Sequence, residues 1–253
     1  EWQQIAEFFP TFQMGRPPKW EKWQVINAIL YVNRTGCQWR MLPVNFPPWR
    51  TVYFYYWSWQ RDGVWQRIND VLVKKVRKQA GRHERPSAAV IDSQSVKTSE
   101  GGEERGVDVH KQTPGRKRHL VVDVLGLVLL VVVHSASIQD GAGGLLTLQT
   151  LFDHIKHNLH NRWCRLKLIW ADGGYPSIMD VVRQRFGWTL QIVKRSEDVK
   201  GFQVLPHRWV VERTFGWLGR YRRLARDYEH TTLSSESMVY IASSRRMLKM
   251  LAT

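Results

Sequence analysis

Residues 88–93 read Ala-Ala-Val-Ile-Asp-Ser, an apolar run closed by a carboxylate. Its length and β-branched content predict a strand, and burying an uncompensated Asp92 in it is costly unless a cation or strong donors meet the charge. Two further apolar runs follow, Leu120 to Val124 and Leu127 to Val133, joined by a tight turn at Gly126. Between them and the first run lies a polar, glycine-rich stretch, Thr98 to Gly115, which reads as a mobile loop. Asp140 suits the N-cap of a helix reaching about Asn161. Leu166 to Ala171 is then an apolar strand ending at Asp172, with Gly173 and Gly174 leaving room for backbone or phosphate to approach. Pro176 fits the first turn of another helix, Leu190 to Val193 a fifth strand, Pro206 to Leu218 a helix bearing Glu212, and Ser234 to Leu251 a final helix.

The order is three strands, a helix, a strand, a helix, a strand and two helices. By analogy it matches an α/β ribonuclease H-like core, a mixed five-stranded sheet with flanking helices, over residues 87–253. Residues 1–82 differ in character. They are rich in tryptophan and tyrosine, with Pro17-Pro18 opening a helix through Trp20, Trp23, Ile26, Ile29 and Leu30 to about Asn33. Turns at Gly36 to Pro48 precede helices at Trp49 to Arg61 and Val64 to Lys78, an all-α arrangement resembling a helix-turn-helix DNA-binding or dimerisation domain.

Composition limits the partners. The chain of 253 residues is 43% apolar, enough for a packed core, and its 38 Lys plus Arg against 22 Asp plus Glu leave a net charge of +16. That surplus favours a polyanion, with nucleic acid foremost, and it is shared equally between residues 1–86 and 87–253, at +8 each. The longest apolar run, Leu120 to Val133, carries Asp123 and Gly126 and falls short of the ~18 residues of a membrane span. No signal-type pattern opens the chain, and Cys37 and Cys164 are its two cysteines, so a cytoplasmic, reduced protein is expected. Glu1 rather than Met at the first position leaves room for native residues ahead of it.

Taken singly, Asp92, Asp172 and Glu212 each read most simply as a cap or a salt-bridged residue. Together, at the ends of two strands and on an apolar helix, they read as one site. Three hard oxygen donors suit Mg²⁺ or Mn²⁺, and two such ions roughly 3.5–4 Å apart serve in-line phosphoryl displacement. His110, His119 and His134 lack the spacing of a zinc site.

The blocks that carry these acids also carry a resemblance. They are Ala-Val-Ile-Asp-Ser-Gln-Ser-Val-Lys at 89–97, Gly-Arg-Lys-Arg-His at 115–119, Val-Asp-Val-Leu-Gly at 122–126, Ala-Asp-Gly-Gly-Tyr at 171–175 and Trp-Val-Val-Glu-Arg-Thr-Phe-Gly-Trp-Leu at 209–218. Over nearly its whole length the chain resembles the DDE transposases of bacterial insertion sequences, in the family-five branch related to family four. The resemblance implies that Asp92, Asp172 and Glu212 are catalytic metal ligands. It also implies that the substrates are double-stranded DNA, at transposon ends and target, and that synapsis needs a homodimer or higher oligomer. A tyrosine expected seven residues before the glutamate is replaced by Leu205, the arginine four before is retained as Arg208, and the lysine expected seven after is Gly219, with Arg220 one place late.

Arg208, Arg213, Arg220, Arg222, Arg223 and Arg226 crowd the stretch that starts on the Glu212 helix, and arginine suits bidentate phosphate contact. Arg116, Lys117 and Arg118 form a second basic cluster, read as contacting phosphate or as a solvated loop. Arg50, Tyr53, Tyr56, Gln60 and Arg61 form the expected exposed side of a recognition helix. Two other functions fit the same residues: a transposase-derived DNA binder without catalysis, and a nuclease of this fold that cuts without joining.

Overall fold

The structure is a computed structural model that describes residues 1–9, 18–99, 101–158, 165–193 and 208–252. Three helices come first, α1 (Lys22–Thr35), α2 (Trp49–Arg61) and α3 (Val64–Gln79). The sheet follows, with β1 (Ala88–Lys97), β2 (Gly106–Asp108), β3 (Thr113–Asp123) and β4 (Val128–Ser135). After α4 (Asp140–Asn158) come β5 (Leu168–Ala171), α5 (Met179–Phe186), β6 (Thr189–Ile192), α6 (Trp209–Gly219) and α7 (Thr232–Ala252).

Strands β4, β3 and β1 are antiparallel neighbours, and β1 then pairs in parallel with β5, and β5 with β6. The crossover through α4 is what lets β5 lie parallel to β1. Three antiparallel strands running into two parallel ones, with helices on both faces, are the ribonuclease H-like arrangement expected. Successive residues of the central strands serve opposite faces. Val90, Leu120 and Val122 join the apolar cluster formed with α1, α2, α3, α6 and α7, while Ala89, Ile91 and Val121 join the one under α4 and α5. A sheet covered on both sides needs near-continuous apolar strands, which is why these runs show no alternation in sequence.

The structure extends what the sequence suggests. β1 continues to Lys97 and β3 starts at Thr113, so the two pair from Ala89 with Asp123 to Lys97 with Gly115. The stretch expected as a loop therefore holds β2 and the start of β3, and a sixth strand joins the five expected. These strand ends are polar, which hid them. α1 begins at Lys22 rather than at the prolines, where the Gln24 side chain accepts the Glu21 amide at 2.9 Å. Pro17, the expected helix end at Asn161, Cys164, Leu205 and Pro206 lie outside the described residues.

Helices α1 to α3 are anchored on the rest of the chain by polar contacts as well. Asn33 Nδ2 donates to the Met238 carbonyl at 3.0 Å, Tyr56 Oη to that of Ser234 at 3.0 Å, and Asn69 Nδ2 to that of Val128 at 2.8 Å. Arg77 and Asp123, both buried, form an ion pair between α3 and the end of β3.

Candidate active site

β1 and β5 run parallel with Val90 opposite Trp170, and Asp92 and Asp172 each follow two residues on, near enough for the charge of one to act on the other. Each aspartate is held by a local amide: Asp92 Oδ1 accepts the Ser93 N–H at 2.7 Å, and Asp172 Oδ1 that of Gly174 at 2.8 Å. Glu212 lies in the first turn of α6, where a helix N-terminus favours an acid. That explains its tolerance but not its aim.

What ties the three together is Arg208, one turn before Glu212. Its Nη2 stands 3.7 Å from Asp92 Oδ2, 3.7 Å from Asp172 Oδ2 and 3.5 Å from Glu212 Oε1. Three carboxylates from two strands and a helix thus converge on one cationic head. Burial pushes the Asp92 carboxyl up to about 6, and the Asp172 charge adds to this, while the Ser93 amide, Arg208 and Lys111 oppose it. The site concentrates more negative charge than it can comfortably hold.

By donor chemistry the trio fits a hard divalent cation. Among the described residues, however, no three His, Cys, Asp or Glu side chains stand close enough together to grip a metal ion. The acids surround a guanidinium, and an ion needs them closer. Arg208 acts here as the counter-cation, where the sequence suggested a phosphate contact.

Behind Asp92 lies a polar layer that sequence reading missed. Ser93 Oγ donates to Asp140 Oδ1 at 2.8 Å, and Lys117 Nζ reaches the same oxygen at 2.9 Å and the Ile138 carbonyl at 2.9 Å. His119 Nδ1 and His134 Nε2 share a hydrogen bond of 2.8 Å, and burial, then His134, pushes His119 down to about 3. The Tyr175 ring stands edge-on to His119 at 6.0 Å between centroids. The one signal in the sequence was Gly143-Gly144 inside α4, because side chains there would overlap His134 and Tyr175.

The basic cluster at 116–118 is interior. β3 lies inside the sheet between β1 and β4 with helices over both faces, so from Gly115 onward its residues are buried. Arg116 and Arg118 are buried on the α7 side, donating to the carbonyls of Glu229 at 2.9 Å and Leu224 at 2.8 Å and facing Asp227 at 3.5 and 3.8 Å. Lys117 is buried on the α4 side. None of the three presents its charge to a duplex. Arg223 is likewise turned inward, onto Glu229 Oε1 at 2.6 Å. Arg213 lies half-buried with its guanidinium 4.4 Å from the ring centres of both Trp209 and Trp217. Arg220, Arg222 and Arg226 are exposed, as are Arg50 and Arg61 on α2. Tyr56 and Gln60 are buried against the core, which leaves Tyr53 and Trp57 between the exposed arginines of α2.

Comparison with known proteins places this arrangement. A family model described as "Transposase DDE domain" matches residues 83–242, and one described as "Putative transposase of IS4/5 family" matches residues 1–69. The chain is 30% identical over 116 residues to the "Putative transposase for insertion sequence element IS402" of Burkholderia cepacia, covering 46% of this chain and 54% of that protein. It is 33% identical over 95 residues to the "Insertion element IS402 uncharacterized 16.2 kDa protein" of the same organism, covering 35% and 57%. The chain thus spans about half the length of the curated relatives it matches. Among solved structures, the Mos1 mariner paired end complex with Mn is similar at 13% identity and a TM-score of 0.34, covering 99% of this chain and 85% of that one. The pre-cleavage Mos1 transpososome is similar at 11% identity and a TM-score of 0.30, covering 96% and 80%.

Proposed function

The chain belongs to the transposase DDE-domain family, and from that premise we propose that it binds the terminal inverted repeats of an insertion sequence and catalyses metal-dependent strand cleavage and 3′-OH strand transfer. The observation that carries the proposal is the convergence of Asp92, Asp172 and Glu212 on one cationic head, that of Arg208. Mg²⁺ or Mn²⁺, as a pair of ions, would activate the attacking oxygen and stabilise the leaving one. Asp92 and Asp172, following neighbouring parallel strands, would hold such ions together with Glu212 from α6. Asp92 must shed its proton to serve as a ligand. Arg208 offsets part of the charge that the three acids bring together.

Substrate DNA lies along the surface reached by Arg213, Arg220 and Arg222, with Arg50 and Arg61 on the helical part, residues 1–82, contacting a second stretch. The chain works as a dimer or larger assembly on two DNA ends, in the cytoplasm. Among the described residues no helix is long and apolar enough to cross a membrane.

The test uses duplexes carrying the inverted repeats that flank the gene, with Mg²⁺ or with chelator. Asp92→Asn is expected to lower cleavage by roughly 10²- to 10³-fold or more, the scale of losing one electrostatic contact to a transition state, while still binding the duplex. Full activity in that variant removes the proposal. Cut ends without a joined product favour a nuclease, and binding without any cut a non-catalytic DNA binder.

A further inference from the structure

On α6 and the residue that caps it, Arg213, Trp217 and Arg220 follow one another at intervals of four and three, so they share a stripe roughly 100° around the helix from Glu212. That stripe does not face the carboxylates. Its members Trp217 and Arg220 line a surface pocket of about 420 Å³ completed by Arg34 of α1 and by Arg245, Arg246 and Lys249 of α7. Five cationic side chains line the pocket with Trp217 and Tyr221, and no acid does.

A chain of net charge +16 has basic surface to spare, so a cluster of this kind needs more than its charge to signify. Here the groups are positioned. The Arg246 guanidinium lies 3.2 Å from the Trp217 ring centre, and Arg34 lies 5.3 Å from that of Tyr221. A guanidinium held over a ring face can still direct N–H donors at its edges to phosphate oxygens. Arg34 Nη1 also donates to the Arg220 carbonyl at 2.6 Å, and Arg245 Nη1 to that of Leu30 at 3.4 Å. Carbonyls aim these side chains without cancelling their charge. Among the described residues no carboxylate forms an ion pair with Arg34, Arg220, Arg245 or Arg246. Burial, and then the neighbouring Arg213, hold Arg246 down to about 10, against the opposing pull of Tyr221 and Asp123.

We infer that this pocket is a second anion site, separate from the carboxylate trio, that takes adjacent phosphates of a nucleic-acid backbone. Only the choice of nucleic acid as the ligand rests on the transposase reading. The contacts are to charge and not to bases, so the site grips any sequence and positions the duplex whose reacting strand meets Glu212 on the neighbouring face of α6.

The experiment is a titration of the full chain with a labelled duplex, once with the terminal repeat and once scrambled, across a range of KCl concentrations. Removing two phosphate contacts with Arg245→Gln plus Arg246→Gln should make the slope of log affinity against log salt shallower by about 1.8. Affinity near 0.1 M salt should fall by roughly 10- to 100-fold, alike for both duplexes. Because Arg246 packs on Trp217, a second pair on the exposed rim, Arg34→Gln plus Arg220→Gln, guards against a folding defect and should give the same change. Arg183→Gln plus Arg185→Gln on α5 removes the same charge elsewhere and should shift the slope little. An unchanged slope in both pocket pairs overturns the inference, as does an equal change in the α5 pair. So does tight binding of inorganic tripolyphosphate that the pocket pairs abolish while the duplex curves stay fixed. Asp92→Asn should keep the wild-type slope, so failure of the catalytic reading and failure of this site are read separately.

Discussion

At Glu236, on α7, a carboxyl group is largely withdrawn from water with the Val133 amide as its hydrogen-bond donor, at 2.9 Å. Burial, reinforced by the charge of Glu104, pushes it up to about 7. A carboxyl whose folded value lies above its unfolded one takes up a proton on folding, so it lowers stability progressively as pH rises from about 4.5 through about 7. Glu236→Gln keeps an oxygen for the Val133 amide and removes the charge. We predict that it stabilises the protein at pH 8 by about 1–3 kcal/mol, discounted for partial solvent access, and that the gain shrinks to a few tenths near pH 4.5. Urea melts at the two pH values decide this, and an equal gain at both refutes it. Asp92 was legible as a buried acid because it ends an apolar strand. The fate of Arg116, Lys117 and Arg118 was not, because a run of cations looks alike whether it faces water or an aspartate, and their partner Asp227 lies more than a hundred residues away.

Two helices show how a glycine's neighbours decide its worth. In the interior of a helix, replacing glycine with alanine ordinarily gains about 0.5–1 kcal/mol. Gly216 on α6 has open space around the added carbon, and Gly216→Ala should follow that rule. Gly143 on α4 has the His119 and His134 rings where the carbon would go, and both rings are buried. Gly143→Ala should therefore destabilise, by about 1–3 kcal/mol as overpacking does. Thermal melts of the two variants should move in opposite directions, and a shared direction would contradict the packing described around the histidine pair. Helices α2 and α3 were legible because their apolar residues follow the helical period, and the apolar parts of β1, β3 and β4 because they are unbroken apolar runs of strand length. The polar halves of β1 and β3 were not. Their side chains are satisfied by Asp108, Asp140 and Asp227, and such pairing across the fold leaves no periodic trace along the chain.

The sequence divides by composition into a helical part and a sheet-containing part, yet one apolar cluster runs through both, from Val25 and Leu72 to Val122, Phe215 and Met238. α7 is the common surface: α1, α2, α3, α6 and β4 all pack against it. Arg77 and Asp123 add a buried ion pair across the same seam, and removing one member of such a pair costs about 3–5 kcal/mol because the other is left charged and dry. Asp123→Ala should therefore destabilise α1–α3 and the sheet together, in a single cooperative transition. Hydrogen exchange is the suitable measurement, since it reads the opening free energy of each element separately. In the native chain the most protected amides of α3 and β3 should share one opening free energy, and in Asp123→Ala both should fall by the same amount. If α3 opened several kcal/mol more easily than β3, or lost protection alone in the variant, the helical part would be a separately folding unit docked on the sheet. Joint loss would mean that any duplex held by Arg50 and Arg61 on α2 is held by the same rigid body that carries the three acids.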